Sequence, residues 1–221
     1  MEIEPIHLDN HLIVVSKSAG VPVQSDATHD RTLMEMVRGY LKREFRKPGN
    51  VYLGLVHRLD RPVSGVIVLA RTSKAAARLS EQFRNRTPLK VYWALVRGKT
   101  QPTGHLVDHI LRNGPTSSIA DERRGKRAEL RYRRLDFRDG VSFVEISMRT
   151  GRHHQIRVQF SHRNHAVLGD LRYGSEIRFP RRAVALHARS ITIRHPVGGK
   201  PITFTADPEE HWPQEFFKEN G

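Results

Sequence analysis

Apolar residues fall along this chain in short blocks separated by turn residues, and the spacing inside each block predicts its element. Residues 11–15 read as a buried strand, closed by Ser18-Ala19-Gly20 and Pro22. Over 32–45, Leu33, Met36, Val37, Tyr40 and Leu41 recur at helical spacing, with Arg38, Lys42 and Arg43 on the opposite face. Residues 51–56 and 66–70 are strands rich in Val, Ile and Leu. Ser73 then caps a helix with Leu79 and Phe83 on its core face. Residues 90–96 form another strand. Residues 98–127, rich in Gly, Pro, Ser and charge, are expected as loops with one short strand near 106–111. Residues 128–137 and 141–148 alternate on either side of Asp139-Gly140, a strong hairpin signal. Residues 153–162 are expected as a helix, 183–193 and 202–204 as strands, and the acidic tail from Asp207 as surface. Helices interspersed with hairpins predict a single α+β domain, a largely antiparallel mixed β-sheet flanked by helices and loops.

Composition narrows the setting. The chain has 221 residues, no cysteine, and 38 Lys+Arg against 23 Asp+Glu, a formal charge of +15. Apolar runs such as residues 66–70 are far shorter than the roughly 18 residues of a membrane span. The opening Met-Glu-Ile-Glu-Pro lacks a secretory apolar segment. These features point to a cytoplasmic protein without disulfides or thiolate metal sites. Arg supplies 29 of the bases, which suits bidentate contacts to phosphate, although a GC-rich genome would raise the same count. Placement decides between them. Residues 123–138 carry net +6 and residues 149–194 net +8, so 14 of the 15 excess charges lie in two segments of the second half. Such concentration favours a footprint on nucleic acid.

Three segments could hold chemistry. Asp60 lies in the loop His57-Arg58-Leu59-Asp60-Arg61-Pro62-Val63-Ser64-Gly65, between two apparent strands. It either caps a turn and neutralises Arg58 and Arg61, or stands ionised beside them as nucleophile, base or metal ligand. Arg149-Thr150-Gly151-Arg152-His153-His154-Gln155-Ile156-Arg157 reads as a turn into a helix, whose amides could meet an anion. On that helix His153 would share a face with Arg157, and His154 with Arg157 and Ser161. His153, His154, His162 and His165 lack the spacing of a zinc motif, so they read as RNA contacts or surface groups and no metal is expected. In Lys90-Val91-Tyr92-Trp93-Ala94, Lys90 and Tyr92 share one side of a strand, and Tyr92 is by default an amphipathic core residue.

Taken together, these segments resemble the RluA-type pseudouridine synthases, which isomerise uridine to pseudouridine in ribosomal or transfer RNA. The resemblance rests on the 57–65 loop, Lys90-Val91-Tyr92, and the run from Thr150 to Val158. It continues through Gly169-Asp170, Tyr173-Gly174, Leu186-His187-Ala188 and His195-Pro196, with residues 9–20 similar to the family's first strand and turn. It covers about residues 9–206 and is similar to the short, catalytic-domain-only members. Val63 and His153 stand where the family usually has Thr, and Gln159 where it has His.

The resemblance implies Asp60 as essential nucleophile or base. It implies Tyr92 as the ring against the target base, and Arg157 as the guanidinium pairing with Asp60. Leu186 and Ile202 would form the apolar wall of the pocket. Arg58, Arg61, Lys90, Arg152, His153 and His154 are the expected RNA contacts. Isomerisation retains all atoms, so no cofactor is expected; the partner is RNA, with the protein monomeric and away from membranes. The competing readings are a metal-dependent nuclease built on Asp60, Asp170 and the histidines, and a basic RNA-binding domain without catalysis.

Overall fold

A computed structural model describes residues 3–25 and 29–217 of the chain. They belong to two compact units, one of residues 1–89 with 188–207, the other of residues 90–187 with 208–221.

In the first unit the strands are β1 (Pro5–Leu8), β2 (Leu12–Lys17), β3 (Gly54–Leu55) and β4 (Ser64–Ala70), followed late in the chain by β10 (Leu186–Arg194) and β11 (Pro201–Thr205). They run in the order β1-β2-β4-β10, with β3 on β4 and β11 on β10. All seven residues of β4 are buried, as its unbroken apolar run requires. Helix α1 (Leu33–Glu44) packs Leu33, Met36, Val37 and Leu41 onto Ile13, Val15, Ile67 and Leu69. Each such side chain contributes about 1.5–3 kcal/mol on burial. Thr32 and Glu35 close a reciprocal capping box at its start. Helix α2 (Ser73–Arg84) is capped by Thr72, not Ser73, because the Thr72 hydroxyl accepts the Ala75 amide. Asp9 accepts the His11 and Leu12 amides and bonds His195, which ties the β1–β2 turn to the end of β10.

The second unit orders β5 (Leu89–Arg97), β6 (Thr103–Asn113), β7 (Thr116–Ala120), β8 (Lys126–Arg138) and β9 (Val141–Met148) as β5-β9-β8-β6-β7. Its strand pairings are all antiparallel. Asp139 and Gly140 both take positive φ, 47° and 75°, the type I′ geometry that Asp-Gly favours. Two expectations fail here. Residues 98–127 are mostly strand, since β6 and β7 form a hairpin whose solvent face accounts for its polar sequence. The acidic tail is not wholly surface: Trp212 is 2% exposed and packs against Phe179 and His187. Residues 218–221 of that tail lie outside the described residues. Among the described residues no helix is long and apolar enough to cross a membrane.

Candidate active site

The Asp60 loop is held from below by a buried lysine. Lys17, at the end of β2, is fully buried and donates its ammonium to the carbonyls of Ser18 (3.0 Å), Val21 (2.9 Å) and Arg61 (3.1 Å). A buried ammonium requires such acceptors, so the 18–21 turn and the Asp60 loop are fixed to one point. The Gly20 amide also donates to the Arg61 carbonyl at 2.8 Å. The Arg61 guanidinium bonds the Gly20 carbonyl and Asp30, a holding role beyond the RNA contact expected of it. Leu59 and Val63 are buried, while Asp60 between them is half-buried, with its carbonyl accepting the Val63 amide at 3.1 Å.

The ends of this loop are equally constrained. His57 accepts the Val68 amide on Nε2 at 2.9 Å and stacks on Phe83 at 4.6 Å. Gly65 has φ 121°, and a Cβ there would lie 2.4 Å from the Ala188 carbonyl oxygen and 2.5 Å from its nitrogen. Only glycine permits β4 to approach β10 so closely. Arg58 is exposed, and Ile202 is half-buried on β11 opposite Ile193.

In the second unit Tyr92 and Lys90 are half-buried on β5. Trp93 is committed to the other side of that strand, against Phe143 and Phe217. A Cβ on Gly151 would sit 3.5 Å from the Lys90 ammonium, which brings Lys90 to the Arg152–His154 loop. Leu186 is buried at the start of β10.

Helix α3 (Gln155–Ser161) begins later than its spacing predicts, because His154 is in the left-handed region at φ 55°. The amides ahead of it are not a ready anion site: Gln155 turns back to accept the Arg152 amide at 3.0 Å and the Thr150 hydroxyl at 2.7 Å. His153 therefore has no helical relation to Arg157. His154, Arg157 and Ser161 do converge, and their meeting point is Tyr173. His154 Nδ1 lies 2.7 Å from the Tyr173 hydroxyl, Ser161 donates to the Tyr173 carbonyl, and the Arg157 guanidinium sits 5.0 Å from the ring centre. His153 stacks on His154 at 3.7 Å and bonds Ser117 Oγ at 2.9 Å. The Ser117 amide donates to the Tyr173 hydroxyl at 2.8 Å.

Arg157 itself is bound by both oxygens of Asp170, at 2.6 and 2.8 Å. Sequence reasoning missed this pairing, and also Lys17, Ser117 and the hub role of Tyr173; Tyr173 enters it only as a matched position of the family resemblance, and Asp170 as that and as a ligand in the nuclease reading. A nuclease needs Asp170 as a metal ligand, whereas here both its oxygens serve a guanidinium. Among the described residues no three His, Asp or Glu side chains stand together as a metal site.

Burial, then the neighbouring charges of Arg157 and His153, lower the His154 pKa to about 3. Burial raises that of Tyr173, so its hydroxyl keeps its proton and donates to a neutral His154. Between the ordinary histidine value of 6.5 and about 3 the unfolded chain binds a proton that the folded chain refuses. Stability is therefore full above pH 6.5 and falls as the pH drops through that window. His154→Asn keeps an acceptor for Tyr173, tolerates the left-handed backbone and cannot titrate. Its melting temperature should fall less between pH 6.5 and 4.5 than that of the wild type. Parallel curves would show that His154 does not carry this dependence.

Comparison with known proteins places the chain in a family. The sequence pattern described as RNA pseudouridylate synthase matches residues 11–162. The chain is 36% identical over 210 residues to the dual-specificity RNA pseudouridine synthase RluA of Escherichia coli (strain K12), covering 91% of each chain. It is 34% identical over 220 residues to the ribosomal large subunit pseudouridine synthase D of Zymomonas mobilis, covering 93% of this chain and 69% of that relative. The fold matches human RNA pseudouridylate synthase domain containing 4 with a TM-score of 0.80 at 23% identity, covering 93% of this chain and 88% of that one. The chain belongs to the RNA pseudouridylate synthase family and is, like its curated relatives, a pseudouridine synthase, an isomerase.

Proposed function

We propose that this protein isomerises uridine in ribosomal or transfer RNA, with Asp60 as nucleophile or base. The reaction breaks the glycosidic C–N bond, turns the uracil, and rejoins it through carbon 5, the C5 proton being lost and N1 taking up a proton in its place. A carboxylate serves either by adding to the sugar or by removing a sugar proton to assist departure of the base. Tyr92 is the ring against the target base, and Arg157 the guanidinium that keeps the carboxylate ionised. Leu186 and Ile202 are the apolar wall. A stacked uridine is inaccessible, so the base flips out of the RNA before reaction, while Arg58, Arg152, Lys90 and the His153–His154 pair hold flanking groups. No cofactor enters this chemistry.

The observation that carries the reading is the fixing of the Asp60 loop by Lys17, Leu59 and Val63, which holds a half-buried carboxylate in a defined position on a strongly basic protein. A carboxylate facing phosphates weakens binding by repulsion, so its retention there has a chemical reason. The E. coli relative is named as dual-specificity and the Zymomonas relative as ribosomal. Both bulk transfer RNA and bulk ribosomal RNA are therefore the substrates to present, drawn from cells lacking the protein. Pseudouridine should rise at one or a few mapped positions, with chelator present and strands intact. RNA cleavage that stops with chelator, or binding without pseudouridine, would replace this reading by the nuclease or the binding domain.

A further inference from the structure

The two basic segments of the sequence meet in the second unit. Arg124 and Lys126 come from the first, Arg152 and His153 from the second, and with Arg112 and Ile110 of β6 they line a cavity of about 420 Å³. Four permanent cations surround it, and none of its described lining residues is acidic. Their mutual repulsion favours an anion at that place.

Two of these cations are positioned in advance. Arg112 Nε is tied to the Gly114 carbonyl at 3.0 Å, and Arg152 Nε to the Arg127 carbonyl at 2.9 Å. The Arg124 amide is fixed by the Asp121 carboxylate at 3.0 Å, and His153 by Ser117. Holding side chains in place before binding lowers the entropy lost on association. The volume is within the range of about 300–1,000 Å³ that suits a small ligand or one unit of a polymer. No Phe, Tyr or Trp is among the described lining residues, so no broad aromatic ring is offered for a base to stack upon. The chemistry fits the sugar–phosphate backbone better than a free nucleotide.

We infer that this cavity seats an RNA backbone phosphate, with Arg112, Arg124, Lys126 and Arg152 as its cations. The inference rests on the RNA reading above. The seat is joined to Arg157 through His153, Ser117 and Tyr173, so a phosphate bound there lies on the same rigid network as a proposed catalytic group.

The test uses Arg124→Gln with Lys126→Gln; both residues are exposed, and the substitutions remove charge with little change in length. Affinity for labelled bulk transfer RNA and bulk ribosomal RNA is measured by anisotropy across a salt series. The slope of log affinity against log salt should shrink by about one for each phosphate that is no longer neutralised, whatever the RNA sequence. For whichever RNA the wild type modifies, KM should rise several-fold with kcat unchanged. Arg38→Gln with Lys42→Gln, at a cavity of about 450 Å³ in the first unit, is the control and should leave both unchanged. An unaltered slope, or an equal loss in the control, overturns the proposal. So does loss of uridine 5′-monophosphate binding with RNA affinity intact, which would mark a free-nucleotide site. A wild type that makes no pseudouridine, together with a reduced slope in the variant, would instead remove the catalytic reading and leave this seat standing.

Discussion

Asp60→Asn is expected to abolish pseudouridine formation while the protein still folds and binds RNA. The substitution is nearly isosteric, and the backbone of the loop is held by the Lys17 ammonium on the Arg61 carbonyl, the Val63 amide on the Asp60 carbonyl, and the buried Leu59 and Val63. The variant should therefore still melt in one cooperative transition. Loss of a catalytic base lowers turnover by about 10²–10⁴-fold, and loss of a nucleophile leaves none to measure. RNA affinity should hold or rise, since a negative charge facing phosphates has been removed. Pseudouridine counted by nucleoside chromatography, alongside a binding isotherm for the same sample, reads both effects. Wild-type turnover in this variant would overturn the assignment of Asp60.

Much of the scaffold is legible from pattern because burial imposes it. β4 reads as a strand because every residue is inside, and α1 because its buried face repeats at helical spacing. The failures have equally physical causes. β7 and the ends of β6, outside the short strand expected near 106–111, read as loops because a solvated hairpin face carries polar residues, and Gly114-Pro115 suggests a loop although it is only the turn. Trp212 lies in an acidic tail, yet a single large ring is enough to bury that segment locally. The candidate site shows the same division. Asp60, Tyr92 and Arg157 stand out because they sit in motifs. The groups that hold the site are invisible in the sequence, because a lysine satisfied by three carbonyls has no local signature. Lys17 donates to carbonyls as far as 44 positions along the chain, and Asp170 reaches Arg157 across 13.

Asp170→Asn should be among the most destabilising single changes in the second unit. The Arg157 and Asp170 side chains are only 5% and 1% exposed, and their two short hydrogen bonds form a bidentate pair. Removing the carboxylate charge that both guanidinium bonds reach costs a buried ion pair, a loss of about 3–5 kcal/mol. For a chain of this length that lowers the melting temperature by roughly 10 °C. Turnover alone would not reveal what Arg157 does, since an unfolding protein is inactive for any reason. A second variant separates the two. Arg157→Met with Asp170→Leu replaces the pair by apolar side chains of similar volume, a change that is often neutral or stabilising. It should melt well above Asp170→Asn and still fail to make pseudouridine, because the positive charge is gone. If this repaired protein turned over normally, Arg157 would be a structural residue alone and its catalytic assignment would fall. If Asp170→Asn melted with the wild type, the pair would not hold the second unit together, and the rigid network from Tyr173 to Arg157 would lose its anchor.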